Sequence, residues 1–561
     1  AALAARALAG SEAAKLRAAA RTRPPQPVGA PGSMQRKFFV WMSDIHIDPY
    51  YGVSGQYGDD AAVCPHKEAF GAADAAAHPY GAVACDPPER LWESALEAAR
   101  RVSDGAEFVV FTGDFARHHQ DQMPNPRADV GRTVSSVAGG LSRAFRFAQP
   151  DNIVIGALGN TDSREGYRLR VTNGSAANPW LSYVADRMGA SNAFPRSRLP
   201  SYIHGGFFET NVGGLMVLSI NTIMYSVLHT PAEPRPADPF GQFAWLRERL
   251  EAAARMQERV WIVGHIPPGM ETYGYQPLWH AQYVGEYLDI VQDARLGQVI
   301  GAQLFGHVHA DEFRYLPDAP AGAGPIWLTG ALSPVYRSNP SFRLVEYDAS
   351  SGRLLNIQVY YAEMQGVSPP EWRFGYDLLG AYPALRDAAE ARGGLTNDAF
   401  RRFAARLRGA WARGGAEFDA FARWHRTRIG GDLLCVAQSA AYNSSLRLET
   451  KRRYVDAFIC ALRVGTAGDF RACAETAWAD VGVDEAAAAR PRAAAEGDLE
   501  WARRKYWERI AHASEAMRLS EVCDDRMLQG RSAAGGPAAL GPIVYGLVLV
   551  QVWLTAHPCI T

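Results

Sequence analysis

The sequence predicts an α/β sandwich with internal sheets buried on both faces, followed by a helical C-terminal subdomain. Two observations carry that expectation. Up to about Tyr361, short apolar runs alternate with segments of helical period. Beyond it the chain turns rich in Ala, Arg, Glu and Leu, with glycine joints at Gly414-Gly415 and Gly430-Gly431.

In order, residues 1–34 form an Ala/Arg-rich leader, nearly free of acids and ending near Arg23-Pro-Pro-Gln-Pro27. It reads either as a transit or precursor segment or as a disordered leader without an address. Residues 35–361 hold the expected strands: Phe38 to Met42, Phe108 to Thr112, Ile153 to Ala157, Leu215 to Ile220, Val260 to Val263 and Gln303 to Phe305. Runs this apolar suit strands covered on both faces. Arg90 to Val102 and Phe243 to Met256 carry the helical period between them, and Ile326 to Thr329 and Arg343 to Tyr347 close the unit. In the subdomain at 362–530, helices are expected over Asp387 to Ala412, Leu448 to Leu462 and Leu499 to Leu519. The tail at 538–556 contains an uncharged run, Leu540 to Ala556, at the lower length limit for a membrane span and interrupted by Pro542 and Gln551. It reads as a membrane or lipid anchor or as an element packed on the core.

Net charge is −1 and the isoelectric point is near 7.0, which excludes bulk attraction to nucleic acid or anionic membrane. Seven cysteines occur without a CxxC pair, arguing against structural zinc. Cys64 and Cys85 flank one loop and are expected to pair. Cys435, Cys460, Cys473 and Cys523 allow three pairings, and Cys559 is left over. With sequons at Asn173 and Asn443, this pattern points to an oxidising, secretory or vacuolar compartment and a glycoprotein.

Chemistry concentrates in the first part, where eleven of fourteen histidines lie at or before His309. Five clusters follow apolar runs: Asp44 with His46, Gly113-Asp114, Gly159-Asn160, Gly264-His265, and Gly306-His307-Val308-His309. Asp44 and His46, two apart, would share one face of an ideal strand and chelate one ion. A single Asp114 carboxylate has two oxygens and can bridge two. Ligands gathered at strand C-terminal ends are where open α/β sheets bind, so the set reads as a two-metal hydrolase. Mixed imidazole and oxygen donors suit zinc, iron or manganese over calcium.

The order Asp-x-His, Gly-Asp, Gly-Asn, Gly-His, Gly-His-x-His resembles the calcineurin-like metallophosphoesterase superfamily. Cys85-Asp-Pro-Pro88, Thr112-Gly-Asp-Phe-Ala-Arg-His118, His265-Ile-Pro-Pro-Gly269, Phe305-Gly-His-Val-His-Ala-Asp-Glu-Phe313, Ser333-Pro-Val-Tyr336 and Asn339-Pro-Ser-Phe-Arg343 resemble its acid sphingomyelinase-like phosphodiesterase branch. The resemblance, over about Phe38 to Tyr361, implies a four-layer α/β/β/α sandwich that usually binds zinc, with secreted, lysosomal or vacuolar members. It implies Asp44, His46, Asp114 and His309 on one metal, and Asp114, Asn160, His265 and His307 on the other. It implies in-line attack on a phosphoester of sphingomyelin or nucleotide type, with His118 rather than His119 as general acid. Arg117 is either a phosphate contact or a solvated surface arginine. One departure stands out, because many relatives carry histidine after Gly-Asn and this chain has Thr161, a candidate substrate contact. That substitution and the Arg117-His118 pair are also similar to endopolyphosphatases. Thr161 also leaves open a third reading, a catalytically weak metal-binding protein with an interaction role.

Overall fold

The computed structural model describes residues 34–53, 64, 70–147, 150–172, 176–230, 235–272, 275–336, 338–364, 366–412, 416–425 and 448–479. Two six-stranded sheets form its centre. The first contains β1 (Arg36–Met42), β2 (Ala106–Phe111), β3 (Ile153–Val154), β10 (Ser341–Asp348), β11 (Leu354–Glu363) and β12 (Glu371–Asp377). Their spatial order is β12-β11-β10-β1-β2-β3. The second contains β4 (Phe208–Val212), β5 (Leu215–Ser219), β6 (Val260–Val263), β7 (Ile300–Phe305), β8 (Glu312–Arg314) and β9 (Ile326–Leu328), in the order β4-β5-β6-β7-β9-β8. Both centres are parallel, β1 with β2 and β5 with β6 and β7, and antiparallel strands close the edges.

Side-chain alternation sorts each strand between two cores. Phe39, Trp41, Phe108 and Val110 meet Val217, Trp261, Val263 and Leu304 between the sheets. Val40, Met42, Val109 and Phe111 turn outward, as do Met216, Leu218 and Ile262 on the other sheet. Phe39 stacks on Phe108 at 5.0 Å and meets Trp261 across the sheets at 4.9 Å. Each such buried side chain contributes roughly 1.5–3 kcal/mol. Helices α1 (Glu89–Val102) and α2 (Pro126–Ala144) cover one outer face; α3 (Gln242–Met256) and α4 (Ala281–Val291) cover the other. In α1 the buried Leu91, Trp92, Ala95, Leu96, Ala98 and Ala99 make one apolar stripe. The layers run α/β/β/α.

The expected strands are present, with differences at the edges. Ile153–Val154 pairs over two residues only, because the chain leaves the sheet toward Asn160. The short edge strands β4 and β8 carry polar residues and were not expected. Strands β11 and β12 carry the first sheet to Asp377, beyond the change of character at Tyr361. The helix expected over 387–412 is two, α5 (Pro383–Arg392) and α6 (Asn397–Ala412), parted at Gly393 and Gly394 with φ of 69° and 134°. Beyond them lie α7 (Ala416–His425), α8 (Leu448–Ala461) and α9 (Ala467–Ala479), and α6 to α8 bury Phe400, Phe403, Phe421 and Phe458 against the inter-sheet core.

Cys64 pairs with Cys85 as expected, and Cys460 pairs with Cys473. Two disulfides fit a chain matured in an oxidising compartment. Cys435, Cys523, Cys559, both sequons, the leader, the helix expected over 499–519 and the apolar run at 540–556 lie outside the described residues. Among the described residues, no helix is long and apolar enough to cross a membrane.

Candidate metal centre

The candidate ligands stand in loops just past the strand ends, not in the strands. β1 stops at Met42, and Asp44 and His46 follow with φ of 52° and 49°. Asp114, His307 and His309 are likewise left-handed, at 58°, 73° and 55°. The ideal-strand geometry expected for Asp44 and His46 is thus replaced by a turn. A left-handed backbone is costly for residues other than glycine and clusters at functional sites. Gly113, at φ 97°, is needed twice over: an added Cβ would stand 2.6 Å from the Ala157 carbonyl oxygen and 2.9 Å from His265 Nδ1.

These loops converge. One group gathers donor atoms of Asp44, His46, Asp114 and His309, another those of Asp114, His265 and His307, with Asp114 in both; a third joins His118 to His46 and His309. Asp114 Oδ2 lies 3.3 Å from His46 Nε2 and 3.1 Å from His265 Nε2, and Asp44 Oδ1 is 3.4 Å from His309 Nε2. The His307 amide donates to Asp44 Oδ1 at 3.0 Å, and its ring centroid is 5.2 Å from that of His265. Asn160 flanks Asp114 through Thr161, whose amide and hydroxyl both donate to Asp114 Oδ1 at 2.9 Å. Asp162 accepts from the amides of Gly159, Asp114 and Phe115, clasping the Asn160 and Asp114 loops together.

The donor chemistry fits bound cations. Asp44 Oδ2 and Asn160 Oδ1 are buried without a hydrogen-bond partner, an arrangement that a coordinated ion relieves. His46 Nδ1 lies 3.0 Å from the Ala116 carbonyl oxygen and His265 Nδ1 2.7 Å from that of Thr112. A proton on each Nδ1 would leave Nε2 free as a ligand atom. Burial, reinforced by His118, pushes His46 down to about 4; burial and His265 push His307 down to about 3. Both imidazoles are therefore neutral near pH 7. At His265, burial also opposes charge, but the Asp114 and Asp44 carboxylates outweigh it and lift the ring to about 9. A cation entering there competes with that proton. The buried His/Asp cluster is thus suited to a dinuclear metal site.

A second dyad borders the cluster. His118 stacks on His46 at 4.0 Å between centroids, and its Nδ1 sits 3.0 Å from Asp86 Oδ2. Its backbone amide donates to the same carboxylate at 2.8 Å. The opposite nitrogen, Nε2, is 3.1 Å from the Tyr336 hydroxyl. Burial alone would lower the His118 pKa, but Asp86 overrides it and holds the ring above the ordinary histidine value. His119, at φ 51°, opens the short turn at Gln120–Gln122. Asp86 and Tyr336 lay inside quoted motifs but carried no residue-level signal of a role; only the fold brings them to His118.

Both candidate substrate contacts are buried. The Arg117 side chain is not solvated: it is 1% exposed and pairs with Asp48 at 3.4 Å. Thr161 is 3% exposed and its hydroxyl donates to Asp114 Oδ1, which orients a candidate ligand. Gly159 leaves no room for change, since an added Cβ would fall 2.0 Å from Asp114 Oδ1. A Gly159→Ala chain should keep its circular dichroism yet lose most of its bound metal by elemental analysis.

No family model matches the chain. Acid sphingomyelinase-like phosphodiesterase 3b of Homo sapiens is 30% identical over 367 residues, covering 61% of this chain and 75% of that protein. Sphingomyelinase phosphodiesterase D of Dictyostelium discoideum is 29% identical over 315 residues, 54% of this chain and 67% of that protein. A cyclic GMP-AMP phosphodiesterase of Bos taurus is 28% identical over 373 residues, 61% and 75%. Among solved structures, a dimetal phosphatase from Danio rerio aligns at a TM-score of 0.36 and 13% identity over 60% of this chain and 98% of that one. The identity to the human protein, sustained over three quarters of its length, shows that the chain belongs to the acid sphingomyelinase-like phosphodiesterase family.

Proposed function

We propose that the chain is a phosphodiesterase whose two metals are held by Asp44, His46, Asp114 and His309, and by Asp114, Asn160, His265 and His307. The observation that carries this reading is the sharing of Asp114 between two groups of donors, all buried but His307. Four imidazoles with three oxygen donors favour zinc, with iron and manganese the other metals suited to such a set. Bound there, two divalent ions supply an activated water and neutralise charge developing on the phosphoryl oxygens.

The chain's own residues do the rest. Thr161 and Asp162 hold Asp114 and Asn160 in register before substrate arrives. His118, kept protonated by Asp86, donates a proton from Nε2 to the leaving oxygen, with the Tyr336 hydroxyl moving aside or passing the proton on. In the leaving step the P–O bond breaks, the oxygen takes that proton, and His118 is left neutral.

The substrate proposed is a phosphodiester of sphingomyelin or nucleotide type, the classes that appear in the relatives' names. The compartment proposed is the secretory route, ending outside the cell or in a lysosome or vacuole. Attachment to a membrane through 538–556 rests on the apolar run alone; a chain truncated at 537 should lose any vesicle binding the full chain shows. Zinc-loaded protein assayed on bis-p-nitrophenyl phosphate, sphingomyelin, a cyclic dinucleotide and long-chain polyphosphate should cleave the diesters and spare polyphosphate. Cleavage of polyphosphate alone would favour an endopolyphosphatase, and no turnover by metal-loaded protein would favour the interaction role.

A further inference from the structure

A buried charged network outside the metal cluster connects three parts of the chain. Glu312 and Arg314 of β8 are 2% and 0% exposed, and Glu312 Oε1 accepts from Arg314 Nε at 2.9 Å. The other oxygen, Oε2, accepts from the Thr272 hydroxyl at 2.6 Å and lies 3.1 Å from His425 Nε2. Arg314 Nη1 donates to the Met270 carbonyl oxygen. Burial alone would raise the Glu312 carboxyl, but Arg314 overrides it and holds the group down to about 2, so Glu312 is an anion at any working pH.

Thr272 and Met270 sit on a backbone excursion that leaves the metal centre directly after His265. Its two arms, 269–272 and 275–278, are joined by Leu278 N to Gly269 O and Glu271 N to Gln276 O, both 2.9 Å. Its root is fixed where the Trp279 indole donates to the Ile266 carbonyl oxygen at 3.0 Å. The outer side touches the C-terminal helices: Tyr275 stacks on Phe470 of α9 at 5.6 Å, and Gly269 lies against Val464 between α8 and α9. Tyr315, next to β8, exchanges backbone hydrogen bonds with Leu462 and Val464. His425 ends α7, and the Asp311 amide donates to its carbonyl oxygen at 2.9 Å. The 269–272 arm begins four residues after the candidate ligand His265, and burial, then the Asp114, Tyr336 and Glu271 charges, hold the Tyr167 phenol well above its ordinary value.

We infer that Glu312 is a positioning residue: it fixes the 269–272 arm beside the metal centre and makes that placement depend on the C-terminal helices through His425. A buried ion pair with every oxygen satisfied holds its neighbours in one arrangement, and losing one partner frees them. The kinetic part of this inference rests on the phosphodiesterase reading; the structural part does not.

Thr272→Val keeps volume and removes the hydroxyl, and His425→Phe keeps a ring but removes the nitrogen that reaches Glu312; both avoid leaving Arg314 as an unpaired buried charge. Amide hydrogen exchange in the full chain should accelerate about tenfold or more at Glu271 and Leu278 in both variants, with β5 and β6 unchanged. The KM for bis-p-nitrophenyl phosphate should rise about fivefold or more with kcat within about twofold, metal content should stay at the wild-type level, and Thr272→Ser should restore each value. Unchanged exchange at Glu271 and Leu278, or failure of Thr272→Ser to restore it, would overturn the inference. A wild-type protein without diesterase turnover would sink the functional reading instead, and the exchange data would still decide the role of Glu312.

Discussion

An Asp114→Asn chain should lose both metals and all measurable turnover while remaining folded. The carboxylate is buried, lies within 3.3 Å of His46 Nε2 and 3.1 Å of His265 Nε2, and is the member common to both donor groups. Burial resists its charge, yet the surrounding histidines hold its pKa well below the usual carboxylate range, so it is anionic throughout the working pH. An amide of the same shape cannot offer two anionic oxygens. The loss should exceed the roughly 10²–10⁴-fold that one general acid contributes, because no residue nearby can replace the ions' charge. Metal analysis and kcat on bis-p-nitrophenyl phosphate check it; wild-type metal content in the variant would contradict a bridging role.

The second large effect concerns the Asp86–His118 dyad. His118→Ala should lower kcat about 10²–10⁴-fold on a diester with an alkoxide leaving group, and far less on a p-nitrophenyl ester, whose leaving group departs without a proton. The pH dependence follows from the direction of the shift. Asp86 raises the His118 pKa, so the acid form is present below that value and lost as pH rises through it. Asp86→Asn removes the charge 3.0 Å from Nδ1 and should move the alkaline limb of the kcat profile to lower pH by about 1–2 units. An unmoved limb in Asp86→Asn would assign the proton to another group.

Much of this architecture was legible in the residues because strand and ligand signals coincide. Val260–Val263 is continuously apolar and ends one residue before Gly264-His265, so period, length and punctuation agree. The weak points are physical. β8 reads Glu-Phe-Arg, and only tertiary pairing of Glu312 with Arg314 inside the protein makes so polar a segment a buried strand. β12, with a glutamate at one end, an aspartate at the other and a half-buried middle, belongs to an edge, where pattern is poor. Asp44 and His46 were placed on one face by strand arithmetic, whereas left-handed turns aim them inward. Arg117 read equally as a phosphate contact or a solvated arginine, because sequence shows its neighbour His118 but not Asp48, sixty-nine positions away. Asp86, Tyr336 and the Glu312–His425 link share that character: each is a contact between distant segments that no local pattern announces.

Metal stoichiometry, measured by inductively coupled plasma mass spectrometry on purified wild-type chain and on Asp114→Asn beside it, tests the shared-carboxylate centre most directly. Two ions per wild-type chain and none in the variant are expected. A single ion in wild type, or two retained without the Asp114 carboxylate, would contradict it.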